Sequence, residues 1–118
     1  MKAKKYTAAE WKQALRWGTD FLGLEDWDFT LDWRHWPPEA LRDGVGHSAV
    51  SRISKRAKLW VHPSNCCEYG HHVFSVLFHE MLHIAFEDVG LPTPGEDHEG
   101  LLNRLEKAML AAYRKGVK

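Results

Sequence analysis

The sequence predicts one α+β domain built from helices and a small mixed three-stranded sheet. Its 118 residues fall within the ~100–200 that one domain usually contains. A hydrophobic content of 44% with 27% charged residues is typical of a soluble globular chain and excludes the disordered and fibrous classes. Helical periodicity at both ends of the chain encloses a middle section with the alternation of strands. The predicted order is therefore helix, three strands, buried helix, helix.

The first helix has a clear start signal. The segment T-A-A-E from Thr7 to Glu10 is a capping box, and Tyr6 and Trp11 are spaced as a hydrophobic staple. Apolar residues then recur at helical spacing until Gly23, which is a natural stop. The pattern predicts an amphipathic helix with one face on the core.

Three short strands are predicted in the middle of the chain. From Trp27 to Arg34 apolar and polar residues alternate, which is typical of a strand with one buried face, and Pro37 follows. The segments Ala49–Ser54 and Ala57–His62 have a weaker strand pattern around a turn near residues 54–56.

The most apolar part of the chain predicts a buried helix over about residues 70–89. Its apolar residues surround nearly the whole helical circumference, and a helix of this kind lies in the middle of a domain. Gly90 and Pro92 predict its end.

A last amphipathic helix is predicted after T-P-G-E, from Thr93 to Glu96. This segment is a second capping box, with proline at the first helical position. The predicted buried face of the helix carries Leu101, Leu102, Leu105, Ala108, Met109 and Ala112.

The motif H-E-M-L-H lies within the buried helix and contains His79, Glu80 and His83. Residues at i and i+4 lie on one helical face, ~5–6 Å apart at Cβ, so both imidazoles can bind one metal ion. Glu80 lies beside that ion, where its carboxylate can take a proton from metal-bound water. Ionisable side chains on a buried helix carry a large desolvation cost unless a partner such as a metal ion offsets it. The motif therefore predicts a metal site with two histidine ligands and Glu80 as the catalytic base.

A zinc site of this kind needs a third protein ligand, and His98 and Glu99 are the candidates. The apolar line of the last helix, extended back from Leu105, reaches residue 98, so His98 is predicted to face inward and to be the ligand. Glu99 points about 100° away in a regular helix and is the alternative. Glu87 is either an acceptor for a ligating imidazole or a solvated carboxylate near the helix end.

Charge and cysteine content restrict the partners and the compartment. Sixteen basic residues balance sixteen acidic ones, which gives no case for a nucleic-acid or membrane partner. The sequence has no apolar run near the ~18 residues needed to cross a bilayer and no signal-peptide pattern at its N-terminus. The adjacent Cys66 and Cys67 cannot build a disulfide framework and lack the spacing of a zinc ribbon. We therefore expect a reducing, cytoplasmic setting.

On these residues, the chain resembles the small zincin metallopeptidases. The order of backing helix, small sheet, H-E-M-L-H helix and ligand helix is similar to that of the minigluzincins and of the short metallopeptidases encoded by phages and prophages. In the gluzincin pattern the third ligand is glutamate, and E-G-L-L-N-R-L from Glu99 resembles that ligand helix. SprT-like (Spartan) protease domains are also similar, because a histidine that opens a helix follows the motif there, as His98 follows His83. The resemblance implies a zincin-like fold and a zinc cofactor.

We expect a zinc-dependent endopeptidase that binds about one zinc per molecule and hydrolyses a peptide or a flexible protein chain. Glu80 would act as general base, and an edge strand within Ala57–His62 would bind the substrate by strand addition. A non-catalytic, zinc-stabilised binding module is one alternative. A second alternative is an SprT-like protease acting on DNA-associated proteins, which rests on the resemblance and on the basic cluster within Arg52–Lys58. The zinc ribbon and basic tail of full SprT-like proteins are not found in the sequence.

Overall fold

Three strands form one mixed sheet, and a central helix packs against it. The computed structural model describes residues 4–90 and 96–116, with the side chains of residues 4–90 and 99–116. The elements in this part of the chain are α1 (Ala8–Phe21), β1 (Asp28–Asp32), β2 (Gly46–Ser51), β3 (Arg56–Val61), α2 (Pro63–Glu68), α3 (Val73–Asp88) and α4 (Glu96–Gly116). The predicted α+β class and the small mixed sheet are confirmed. None of the described helices is both long enough and apolar enough to cross a membrane.

The sheet has the strand order β1–β3–β2, with β1 parallel and β2 antiparallel to β3. Phe29 and Leu31 of β1 lie opposite Ala57 and Leu59 of β3, and these four residues pack into the core. The alternation predicted for the first strand is therefore confirmed, because its apolar residues share one buried face.

β3 lies in the centre of the sheet. The prediction that an edge strand within Ala57–His62 binds substrate is therefore wrong, since β1 and β2 occupy both sides of β3. The sequence of one short strand does not show whether other strands pair with it on one side or on both. The edge strand that packs most closely on α3 is β2.

α1 begins at the predicted capping box. The backbone N–H of Glu10 donates to Thr7 Oγ1 over 3.1 Å, and the N–H of Thr7 donates to Glu10 Oε1 over 2.8 Å. Further along, Gly18 allows α1 to approach α3 closely, because a Cβ there would lie 2.8 Å from Met81 Sδ. α1 therefore packs directly on the back of α3.

A short helix that the sequence pattern does not predict, α2, follows β3. Its six residues are too few to show helical periodicity. His62 caps it, since Nδ1 of His62 accepts a hydrogen bond of 3.1 Å from the N–H of Asn65. The side-chain amide of Asn65 also donates to the carbonyl oxygen of Gly44 over 2.8 Å. α2 thus ties the end of β3 to the segment that leads into β2.

Cys66 of the adjacent cysteine pair is fully buried in α2. Its Sγ lies 3.7 Å from the carbonyl oxygen of Val45, and burial raises the pKa of its thiol to about 12. A thiol with this pKa stays protonated at neutral pH, so Cys66 has a packing role.

α3 lies in the centre of the core, as predicted. Leu77, Phe78, Met81 and Ile84 of this helix have no exposed surface. The polar motif therefore sits on a helix whose other faces are covered, and its side chains can only project along the remaining stripe.

The N-terminus of α3 is held by His72. Its Nδ1 accepts a hydrogen bond of 3.0 Å from the N–H of Phe74, and its Nε2 lies 3.2 Å from the hydroxyl of Tyr6. Burial, with the charges of Arg114 and Lys4, lowers the pKa of His72 to about 4. The ring is therefore neutral at pH 7, with its proton on Nε2, and it donates to Tyr6.

α4 packs against α3 through a face that includes a carboxylate. Leu102, Met109 and Tyr113 are buried on this face, and Glu106 lies among them with only 9% of its surface exposed. The capping box predicted over residues 93–96 lies outside the described residues.

The face predicted for this helix is partly wrong. Leu101 is half exposed, and Ala108 and Ala112 are exposed. Because Glu106 is polar, the hydrophobic pattern does not assign it to the buried face. The predicted buried face therefore lies on a neighbouring stripe of the helix. The register of α4 depends on Glu106 and its partners, which the helix sequence alone does not show.

The far end of α3 is held by the Trp27 indole, which donates to Asp88 Oδ1 over 3.0 Å. A hydrogen bond of this kind contributes about 1 kcal/mol to stability. We expect a double-mutant cycle of Trp27→Phe and Asp88→Ala, measured by urea unfolding, to give a coupling energy of about that size. The cycle corrects for the ring volume that Trp27→Phe also removes. A coupling energy of zero would contradict a stabilising role for this bond.

Candidate metal centre

α3 presents His79 and His83 on one face, toward α4. The Nε2 atoms of the two imidazoles are 3.2 Å apart, and their ring centroids are 4.8 Å apart. Both side chains are partly buried. The i, i+4 spacing therefore brings both rings to one point, as the motif predicts.

α4 brings a carboxylate to the same point. Glu99 Oε1 lies 3.1 Å from His79 Nε2, and one donor atom each from Glu99, His79 and His83 lie within 4.8 Å of one another. Zinc bonds to nitrogen and oxygen are about 2.0–2.2 Å long, so the ligand atoms of a tetrahedral site lie roughly 3.3 Å apart. The separations of His79 from His83 and from Glu99, 3.2 and 3.1 Å, match this spacing, so the three residues could hold one such ion.

A second carboxylate of α4 holds the first histidine. His79 Nδ1 donates to Glu106 Oε1 over 3.0 Å, and the hydroxyl of Ser75 donates to the other oxygen of Glu106. This arrangement leaves Nε2 of His79 as the nitrogen with a free lone pair, directed toward His83 and Glu99. Nitrogen ligands of metal ions are commonly oriented in this way.

The electrostatics of the cluster favour a bound cation. The hydrogen bond to Glu106 raises the pKa of His79, while burial and the neighbouring His79 lower the pKa of His83. Burial also raises the pKa of Glu80. Two imidazole nitrogens 3.2 Å apart either share one proton in a hydrogen bond or repel each other, when both are protonated or both present lone pairs. A cation bound between them, beside Glu99, removes that repulsion.

Glu80 lies on the side of α3 that faces β2. Its side chain is partly buried and packs against Gly46. Burial raises the pKa of its carboxyl group, and the nearby Ser48 side chain acts against that rise. Among the described residues, the converging donor set consists of His79, His83 and Glu99. Glu80 is outside this set, and its charge helps to raise the pKa of His79.

The structure thus brings together His79, Glu80, His83 and the alternative third ligand, Glu99. His98 belongs to α4, but its side chain lies outside the described residues. His98 as third ligand therefore stays a prediction, and the described geometry shows that Glu99 reaches the two histidines of α3.

The sequence pattern does not indicate Glu106, and it suggests Glu87 as a possible acceptor for a ligating imidazole. The available signal is the position of Glu106, roughly two helical turns after Glu99 in line with Leu102. A carboxylate in line with buried residues indicates a polar partner on the facing helix, because burial without a partner would be costly.

Two other histidines, His62 and His72, cap helices. His35 is exposed near the end of β1, and His47 packs against Trp60.

Two members of the basic cluster have partners within the protein. Lys55 pairs with Asp26 and lies 3.9 Å from Asp88, and Arg52 donates to the carbonyl oxygen of Glu87 over 3.3 Å. These contacts connect the β2–β3 turn to neighbouring segments.

Comparison of the chain with protein-family models, with curated proteins and with solved structures gives no match.

The identity of the third ligand can be tested directly. Because Glu99 Oε1 lies 3.1 Å from His79 Nε2, we expect Glu99→Ala to weaken zinc binding more than His98→Ala does. The loss should exceed the roughly 10–100-fold typical of removing an outer partner of a ligand. Competition with a chelator of known zinc affinity measures both variants. The reverse order would identify His98 as the ligand, and no loss in either variant would exclude a ligand from the start of α4.

The role of Glu106 gives a second test. Glu106→Ala should lower zinc affinity by about 10–100-fold, because His79 then loses the acceptor that orients its ring. Glu106→Gln keeps an acceptor oxygen and should cost less. Lys107→Ala, at the exposed neighbouring position, is the matched control. Equal zinc affinities for Glu106→Ala and Lys107→Ala would contradict this role.

Proposed function

We propose that the protein is a zinc-dependent endopeptidase whose metal ion is held by His79, His83 and Glu99. The observation that carries the proposal is the convergence of these three donor atoms on one point. Glu80, which follows His79 in the chain and lies outside the donor set, would serve as the base. A zincin-like fold is part of the same proposal.

Zinc is the ion that this donor set favours. Imidazole and carboxylate ligands suit zinc, and three protein ligands leave one tetrahedral position for water or substrate. When bound, zinc polarises the scissile carbonyl and lowers the pKa of the attacking water. The protein contributes the orientation of the ligands, through the bond from His79 to Glu106.

Glu80 supplies the acid–base chemistry. Its carboxylate accepts a proton from the attacking water as the water oxygen bonds to the carbonyl carbon of the peptide. The same carboxyl group then gives this proton to the amine nitrogen as the C–N bond breaks. Glu80 thus ends the cycle as the carboxylate with which it began.

An extended peptide is the substrate class that the fold favours. β2 is an edge strand, and it packs on the helix that carries Glu80. A peptide that pairs with the outer edge of β2 would pass this region with its backbone extended. The proposed substrate is therefore a flexible chain or an unfolded segment.

A non-catalytic zinc module would use the same ligands but would not need Glu80, so a Glu80 variant separates the two functions. The alternative of a protease acting on DNA-associated proteins has less support. Its basic cluster includes Lys55 and Arg52, and both side chains already contact groups of this protein.

The decisive variant is Glu80→Gln. It should keep the fold and about one zinc per molecule, because glutamine preserves shape and is not needed as a ligand. Hydrolysis of casein should fall by about 10²–10⁴-fold, because the amide cannot accept the proton. Zinc is measured by plasma mass spectrometry, and hydrolysis is followed with and without chelator. Glu25→Gln, at an exposed position outside the site, is the matched control.

Equal rates for Glu80→Gln and the wild type would show that Glu80 is not the base. A wild-type protein that binds zinc but cleaves neither casein nor a peptide library would instead be a binding module.

A further inference from the structure

The edge strand β2 makes two contacts with the Glu80 side chain that the proposed reaction does not require. They come from Gly46 and Ser48, which lie on the same face of the strand. The geometry points to Gly46 and Ser48 as positioning residues that hold the carboxylate of Glu80 in place for proton transfer. This inference rests on the proposed function, in which Glu80 is the base.

Gly46 allows the backbone of β2 to lie directly against α3. A Cβ at this position would lie 2.7 Å from Val76 Cγ1, 3.2 Å from Glu80 Cγ and 3.4 Å from Glu80 Cδ. The first distance is a clash, and the second requires the glutamate side chain to move. The bare backbone of Gly46 therefore forms the surface against which the Glu80 side chain rests.

Ser48 contacts the same carboxylate from the next inward position. Gly46 pairs with Val61 and Ser48 with Leu59, and both partners in β3 are buried on the face toward α3. In this inference the Ser48 hydroxyl, which counteracts the effect of burial on the pKa of the Glu80 carboxyl group, is the donor to that carboxylate. A donor on one carboxylate oxygen restricts rotation of the group, so the proton-accepting oxygen keeps one direction.

The start of β2 is also tied to the end of β3 and to α2. The N–H of His62 donates to the carbonyl oxygen of Val45 over 2.8 Å, and the Asn65 amide donates to that of Gly44 over 2.8 Å. β2 therefore cannot easily move away when a side chain at position 46 pushes against it. An added Cβ should displace the more flexible partner, which is the Glu80 side chain.

The first test uses Ser48. Ser48→Ala should lower kcat for a fluorogenic peptide by roughly 10-fold, because a hydrogen bond to a charged group is lost. KM and zinc affinity should stay at wild-type values, since neither the ligands nor the edge of β2 changes. Ser48→Thr keeps the hydroxyl and should restore most of kcat. A wild-type kcat in Ser48→Ala would overturn the role of Ser48.

The second test separates positioning from packing at Gly46. Gly46→Ala combined with Val76→Ala removes the closest clash, so this double variant should fold and bind zinc. It should still be roughly 10-fold slower than Val76→Ala alone, because a Cβ 3.2 Å from Glu80 Cγ keeps that side chain displaced by a few tenths of an ångström. A double variant as fast as Val76→Ala would mean that Gly46 serves packing only, and would overturn its proposed role.

A third measurement does not depend on hydrolysis. The carboxyl ¹³C resonance of Glu80 can be assigned by its loss in Glu80→Gln. It should shift in Ser48→Ala relative to the wild type, and in Gly46→Ala/Val76→Ala relative to Val76→Ala. Unchanged resonances would overturn the inference even if the protein is a peptidase. Absence of hydrolysis in the wild type would overturn the proposed function, and the resonances would still show whether β2 holds the carboxylate.

Discussion

The hydrogen bond between His79 and Glu106 is the interaction on which the candidate metal centre depends. It joins the two helices that supply the donor atoms, and it lies in a part of the interface where Glu106 is only 9% exposed. A carboxylate in such a place is costly unless it is hydrogen-bonded, and both of its oxygens have partners here, from His79 and Ser75. The bond fixes the direction of the His79 ring and the rotation of α4 at the same time. Glu99 reaches the site because of that rotation.

Two adjacent residues of α3 contact different neighbours, α4 and β2. Successive positions on a helix are about 100° apart, so His79 and Glu80 necessarily point in different directions. His79 turns toward α4 and its carboxylates, whereas Glu80 turns toward β2. In the proposed reaction, metal binding and proton transfer would therefore be supported by different parts of the fold. The side-chain bonds at both ends of α3 keep the two directions constant.

The sequence was most informative where the determining contacts are local. The capping box of α1, the extent of α3 and the meeting of His79 with His83 follow from spacings of three or four residues. The central position of β3 and the register of α4 depend on partners far away in the chain, so local patterns could not show them. The contacts of Glu80 with β2 are of the same kind. The sequence pattern does not predict α2, because its six residues form fewer than two helical turns and cannot show a helical period.

The arrangement of α4 also bears on which changes in chain length this fold can accept. Glu99 and Glu106 act on opposite nitrogens of one imidazole from a single continuous helix. One inserted or deleted residue between them would rotate one carboxylate by about 100° relative to the other and shift it by about 1.5 Å. The ring could then keep only one of its two partners. The connection between β1 and β2 carries none of the three converging donors, so its part before Gly44 can change in length at much lower cost. Relatives of this chain should therefore vary in length in that connection and keep the spacing within α4 constant.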